Sequence, residues 1–160
     1  MKKVTLETHL EVFDSVLELS EHIQNLMNKA QQARENAYAP YSHFKVGAAL
    51  YLENGEIVLG NNQENAAFPS GLCAERVAVF HAGANYPSIA IKEIALTVKS
   101  LKYTVKTPTP PCGACRQALV EYEVNQKTPI EIYFMGETGK VVKVGSVKEL
   151  LPLVFDSSFL

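Results

Sequence analysis

The sequence predicts a layered α/β fold with a sheet of mixed strand direction, and two observations carry that expectation. Early in the chain, two β-rich runs flank Asn54–Gly55, the strongest short hairpin signal. Later, strand-like and helix-like segments alternate, the pattern of a sheet with helices packed on it. At 160 residues the chain has the length of one domain, 1–160, enough to bury a core without staples.

The segment "KKVTLETHLEV" sets Val4, Leu6, Leu10 and Val12 on one parity and Lys3, Glu7, His9 and Glu11 on the other. That alternation predicts a half-buried strand as an N-terminal extension over residues 1–13. From Asp14 or Ser20, either suited to an N-cap, a helical period places Leu19, Ile23, Leu26, Met27, Ala30, Ala33 and Ala37 on one stripe, ended by "APYS". "FKVGAALYLENGEIVLGNN" is the hairpin, and "ENAAFPSG" reads as a loop. "CAERVAVFHAGANY" is helical, with Val77, Phe80 and Ala84 at helical spacing. "IKEIALTVK" is a strand, "TVKTPTPP" a stiff connector, and "GACRQALVEYEVN" a second short helix. "PIEIYFM" and "KVVKVGS" follow as strands, then the short helix "VKELL" and the tail "PLVFDSSFL".

Composition narrows the function. The formal net charge is −2, and the only adjacent basic pair is Lys2–Lys3. With no basic stripe to follow a polyanion, nucleic acid is not the expected partner. No apolar run approaches ~20 residues, so no membrane span is expected. The lysines at the start precede no apolar signal segment, which makes a cytoplasmic, reducing setting the expectation. Three cysteines cannot pair into disulfides without a remainder, and a reducing setting keeps all of them as thiols.

Those thiols have ligand spacing. Cys112 and Cys115 lie at i and i+3 behind Pro110 and Pro111, at the expected entry to a helix. Residues three apart on a helix have Cβ atoms roughly 5–6 Å apart, close enough to converge on one tetrahedral zinc. The helix N-terminus favours thiolate over thiol. Alone, the C-x-x-C spacing also suits a redox pair or half of a structural zinc knuckle. Cys73 decides between them, because it opens the other helix. Three ligands leave a fourth position for water, as in catalytic zinc, whereas closed structural sites take four. None of the histidines (His9, His22, His43 and His81) has ligand spacing.

Two charged residues follow Cys73. Taken singly, Cys73 is an ordinary buried thiol, Glu75 an acid complementing a helix dipole and Arg76 a surface cation. Taken together, Glu75 overhangs a metal site as a proton carrier. Arg76 offsets a cluster that carries −1 when three thiolates meet a +2 ion.

"CAER" followed by "PCGACRQ" resembles the cytidine deaminase family, specifically its small three-cysteine type, whose zinc signature includes a glutamate that is not a ligand. "AYAPYSHFKVGAAL", "NNQENAAFPSGLCAER", "TPTPPCGACRQAL" and "ELLPLVF" carry the same resemblance across roughly residues 20–155. It implies a three-layer αβα sandwich around a mixed, roughly five-stranded sheet, and hydrolytic deamination of cytidine and 2′-deoxycytidine in pyrimidine salvage. By the same resemblance, one zinc per chain is held by Cys73, Cys112 and Cys115, with Glu75 as proton shuttle and Arg76 balancing the thiolates. Phe44 matches an aromatic against the pyrimidine, Asn62 and Glu64 match residues that hold the ribose hydroxyls, and backbone near Ala74 is placed to read the ring. The family is homotetrameric, with a C-terminal phenylalanine, best matched by Phe155, reaching a neighbour's site. Phe68 stands where the family usually has tyrosine. The alternatives are a deaminase of a related nucleoside such as blasticidin S, and a non-catalytic zinc-binding interaction module.

Overall fold

In the computed structural model, which describes residues 1–160, the chain folds around one sheet of order β1-β6-β5-β4-β2-β3. The strands are β1 (Glu11–Phe13), β2 (Phe44–Leu52), β3 (Ile57–Asn61), β4 (Ile91–Ser100), β5 (Glu131–Met135) and β6 (Val141–Val144). The helices are α1 (Glu21–Glu35), α2 (Ala74–Asn85), α3 (Gly113–Gln126) and α4 (Val147–Leu150). Only β4 and β5 run parallel; the other neighbouring pairs are antiparallel. The sheet is therefore mixed, as expected.

Strand alternation assigns the layers. Ala49, Ala95, Tyr133, Met135 and Val141 face one side, where Ile23, Leu26, Met27 and Ala30 of α1 cover them. Ala48, Leu50, Ile94, Leu96, Ile132 and Phe134 face the other, against Ala78 and Val79 of α2 and Leu119 and Val120 of α3. β4 lies at the centre and is buried on both faces, which is why "IALTV" reads as a nearly unbroken apolar run. Ser20 caps α1, accepting from the Ile23 N–H.

Three expectations need correction. The sheet has six strands rather than five, because part of the N-terminal extension joins the β6 edge through Val12 opposite Val142. The strand expected over residues 1–13 is paired only at Glu11–Phe13, and Val4, Leu6, Leu10 and Val12 are exposed rather than half-buried. Alternation alone does not supply a surface to bury against, and at a sheet edge only Phe13 finds one. The inward face of α2 is also different: Ala74, Ala78, Val79 and Ala82 are buried, while Phe80 is 45% exposed. Small residues win that face because the helix lies nearly on the backbone of β3. A Cβ on Gly60 would collide with the Ala74 carbonyl and lie 2.6 Å from the Ala78 nitrogen.

One carboxylate fastens the end of the fold. Glu123 of α3 is 4% exposed and accepts from the Ile130 and Val147 N–H groups at 2.8 Å and from the Ser146 hydroxyl at 2.6 Å. It thereby caps α4 from outside that helix.

Candidate functional site

Two helix starts meet at one end of the α2–α3 layer. Cys73 is the N-cap of α2 and Cys112 the N-cap of α3, both in extended backbone and neither using its side chain to cap. Each sulfur is thus free to turn away from its own helix. Cys115, in the first turn of α3, adds a third. The Sγ atoms of Cys73 and Cys112 are 3.9 Å apart, those of Cys112 and Cys115 3.5 Å, and all three lie within 4.8 Å of one another. All are free thiols, and they grade from buried Cys115 through half-buried Cys73 to exposed Cys112.

This geometry fits zinc. Zn–S bonds of about 2.3 Å in a tetrahedron separate sulfurs by about 3.8 Å, close to the spacing here, and thiolate is zinc's preferred anionic donor. The trio already favours ionisation at one sulfur. The Cys115 S–H donates to Cys73, Arg76 adds its positive charge, and together they outweigh burial to bring the Cys73 thiol down to about 5. Cys115 moves up correspondingly, because its proton is held by Cys73 and its own burial disfavours charge. The Arg76 Nη2 lies 4.0 Å from the Cys73 sulfur, and its buried Nε has no partner.

Glu75 stands beside these sulfurs at 4% exposure. Burial pushes its carboxyl above the usual carboxylate range, and the neighbouring Cys73 charge pushes the same way. It lines a cavity of about 810 Å³ whose walls also include Phe44, Asn62, Glu64, Cys73, Arg76 and Cys112. Seven of the expected site residues are therefore gathered around one space.

The rim of that cavity is braced by hydrogen bonds. The Asn62 side chain accepts from the Val46 N–H at 2.8 Å and donates to the Phe44 carbonyl at 2.9 Å, continuing the ladder just where β3 ends. Glu64 accepts from the Tyr41 N–H at 2.9 Å and from both the backbone N–H and the hydroxyl of Ser42. Partial burial opposes its charge, but the Ser42 and Tyr41 donors outweigh that and hold the carboxyl below its usual range. These bonds leave one Asn62 N–H and spare Glu64 lone pairs for a ligand.

Two expected residues and four overlooked ones complete the description. Ala74 is fully buried behind the cavity wall and is not part of its lining. Phe155 lies away from this chain's cavity, 58% exposed, with its ring stacked on Phe159 at 5.7 Å. Tyr41, Ser42, Thr109 and Pro110, which the sequence reading did not single out, line the cavity. Ser42 was the most legible of these, since serine hydroxyls bond backbone two residues on in ST-turns, realised here by the Phe44 N–H donating to its hydroxyl at 3.0 Å.

Comparison with known proteins gives the same picture. The family described as "Cytidine and deoxycytidylate deaminase zinc-binding region" matches residues 20–129. A cytidine deaminase of Halalkalibacterium halodurans is 40% identical over 132 residues, covering 82% of this chain and 92% of that protein. One from Sporosarcina psychrophila is 38% identical over 135 residues, covering 83% and 90%. The crystal structure of cytidine deaminase from Burkholderia pseudomallei superposes with a TM-score of 0.72 at 40% identity, covering 86% of this chain and all of that one. A family match that spans residues 20–129 and a relative 40% identical over 82% of the chain show that this chain belongs to the cytidine deaminase family.

Proposed function

We propose that the chain hydrolyses the exocyclic amine of cytidine and 2′-deoxycytidine, releasing ammonia and giving uridine and 2′-deoxyuridine. The observation that carries this reading is a buried carboxylate with a raised pKa beside three convergent sulfurs, in the wall of a cavity of about 810 Å³, ample for a nucleoside. Cys73, Cys112 and Cys115 would hold one zinc per chain, and when bound it would supply a Lewis acid that lowers the pKa of water towards about 7. Glu75 takes the proton of the attacking water and delivers it to ring N3 as attack occurs at C4. Glu75 then takes the remaining proton from the new C4 hydroxyl and passes it to the departing amine, so that ammonia leaves and the C4 carbonyl forms. Its raised pKa suits a group that must both accept and donate near neutral pH. Arg76 keeps the thiolates from repelling the negative charge that develops during attack.

The cavity walls support a free nucleoside rather than a nucleotide. Arg76 is the only lysine or arginine among the lining residues, and the thiols engage it, while Glu64 and Glu75 add negative charge. A 5′-phosphate would meet no free cation. Phe44 offers a face to the pyrimidine, and Asn62 and Glu64 offer the spare hydrogen-bonding positions that a sugar diol needs.

The same reading takes the chain as one deaminase domain over 1–160, working in the cytoplasm in pyrimidine salvage as a homotetramer. Three unpaired thiols fit a reducing compartment. No helix is long and apolar enough to cross a membrane. Phe68, Phe80, Phe155 and Phe159 are exposed, as residues that a neighbouring subunit covers would be. Phe155 would then complete a neighbour's cavity rather than its own.

The test is zinc stoichiometry together with an ultraviolet assay over cytidine, deoxycytidine, deoxycytidine monophosphate, blasticidin S and single-stranded DNA. One zinc per chain with turnover of the two nucleosides alone is expected. Zinc bound with no substrate turned over would point to an interaction module instead, and turnover of blasticidin S alone to a related deaminase.

A further inference from the structure

We propose that Arg116 is a positioning residue that holds the Cys112 arm of the metal site and joins it to the C-terminal tail. The proposal rests on reading Cys112 as a zinc ligand. Cys112 is the exposed member of the trio and ends the connector that follows Val105. The Val105 carbonyl is anchored by the Glu137 N–H at 2.7 Å, and the Cys112 carbonyl by the Arg116 N–H at 2.9 Å. Between those two points no residue takes part in a backbone–backbone hydrogen bond. Pro108, Pro110 and Pro111 have no N–H to give, and the Thr109 hydroxyl bonds only within the connector, to Thr107. The one hydrogen bond reaching this stretch from outside runs from the Arg116 Nε to the Pro111 carbonyl, at 2.8 Å, immediately before Cys112.

The same guanidinium donates through Nη1 to the Leu150 carbonyl, also at 2.8 Å, at the last residue of α4. No carboxylate lies within ion-pairing distance of Arg116, so its role is geometric rather than charge pairing. A planar fork spans two carbonyls at fixed angles, which a lysine ammonium on a flexible stem does not reproduce. The next residue extends the link: the Gln117 Nε2 donates to the Phe155 carbonyl at 2.9 Å. Cys115, Arg116 and Gln117 are consecutive on the first turns of α3. The turn that carries a metal ligand therefore also grips the other ligand's arm and the tail. Coupling of this kind is reciprocal: whatever orders the metal arm orders the tail, and the reverse.

The experiment compares zinc-loaded wild type with Arg116→Ala, Arg116→Lys and Gln117→Ala. Zinc release to a colorimetric chelator and amide hydrogen exchange over residues 151–160 are both recorded. Arg116→Ala is expected to release zinc about 10- to 100-fold faster, the range typical of residues that orient metal ligands, and to exchange faster in the tail. Arg116→Lys falls between, and Gln117→Ala, which removes only the link from α3 to Phe155, loosens the tail and through the same coupling speeds zinc release less than Arg116→Ala does, by about 2- to 10-fold, the worth of one neutral hydrogen bond. Removing zinc from wild type also raises exchange in the tail. If Arg116→Ala does not fold, the lysine variant and the metal-free wild type decide. Wild-type zinc release in the Arg116 variants, or a tail indifferent to zinc removal, overturns this proposal alone. A wild type that binds no zinc overturns it together with the ligand assignment.

Discussion

The floor and the rim of the cavity are built by different forces. The floor is made of helix starts pressed onto the sheet: Cys73 and Glu75 ride on α2, whose inward face is the fully buried Ala74, Ala78 and Val79. The rim consists of the start of β2 and the loop segments beside it, braced by the Asn62 amide and the Glu64 carboxylate against the backbone of residues 41–46. Core packing is cooperative and resists small displacements, whereas side-chain braces act singly and yield singly. Damage to the floor should therefore abolish chemistry or metal binding, and damage to the rim should weaken substrate binding by degrees.

The sharpest break of that contrast is Glu75→Gln. The amide keeps the shape and fills the same buried space but accepts and delivers no proton. Loss of kcat on the order of 10³- to 10⁴-fold is expected, near the upper range for general acid–base groups. Zinc content and thermal midpoint should stay close to wild type. An active Gln variant would remove Glu75 from the mechanism.

Gly60→Ala tests the floor without touching a ligand. The added methyl meets the Ala74 carbonyl and the Ala78 nitrogen and side chain, all on α2. The helix start must lift, carrying Cys73 and Glu75 with it. A stability loss of about 1–3 kcal/mol, the usual cost of overpacking, should come with weaker zinc retention. Denaturant unfolding and chelator competition measure the two effects. A stable variant with wild-type zinc retention would show that close packing on β3 does not set the site.

Much of this division was legible in the sequence, and where it was not, the cause is physical. The cysteine spacing and the glutamate after Cys73 predict the floor because helix starts impose their own geometry on the residues that begin them. The helical spacing of Val77, Phe80 and Ala84 does not mark the inward face of α2, because hydrophobicity favours Phe80 and Val77 while the deciding quantity is the gap left by Gly60, a property of two segments at once. The extension strand was overextended because its pattern carries no information about what covers it. The bracing roles of Asn62 and Glu64 were hidden for a related reason, since their backbone partners at Tyr41, Ser42, Phe44 and Val46 become neighbours only in the fold. Arg116 carried no sequence signal beyond its place after Cys115.

On the rim, Glu64→Gln should act on binding. The amide replaces one acceptor oxygen with a donor that faces the donors at Tyr41 and Ser42, so the turn loosens and the sugar loses a charged partner. Hydrogen bonds to charged groups contribute about 1.5–3 kcal/mol, which corresponds to a rise in KM of roughly 10- to 100-fold. The interaction is made before and during the reaction alike, so kcat should change little. A fall in kcat with KM unchanged would place Glu64 with the floor.

The smallest effect isolates one brace. Ser42→Ala removes the hydroxyl that donates to Glu64 but leaves the Tyr41 and Ser42 N–H donors in place. The folded pKa of Glu64 lies below its ordinary value, about 4.3 in a free peptide. Whatever that carboxylate adds to stability is therefore complete above the unfolded pKa and is lost as pH falls through the folded one. Deleting the donor raises the folded pKa towards the unfolded value, which shrinks the contribution and moves its loss to higher pH. Carbon-13 NMR of the Glu64 carboxyl across the acid range should show the upward shift, with no change in zinc content at neutral pH. An unmoved titration would mean that the backbone N–H groups alone hold the charge, and that the hydroxyl serves the Phe44 turn instead.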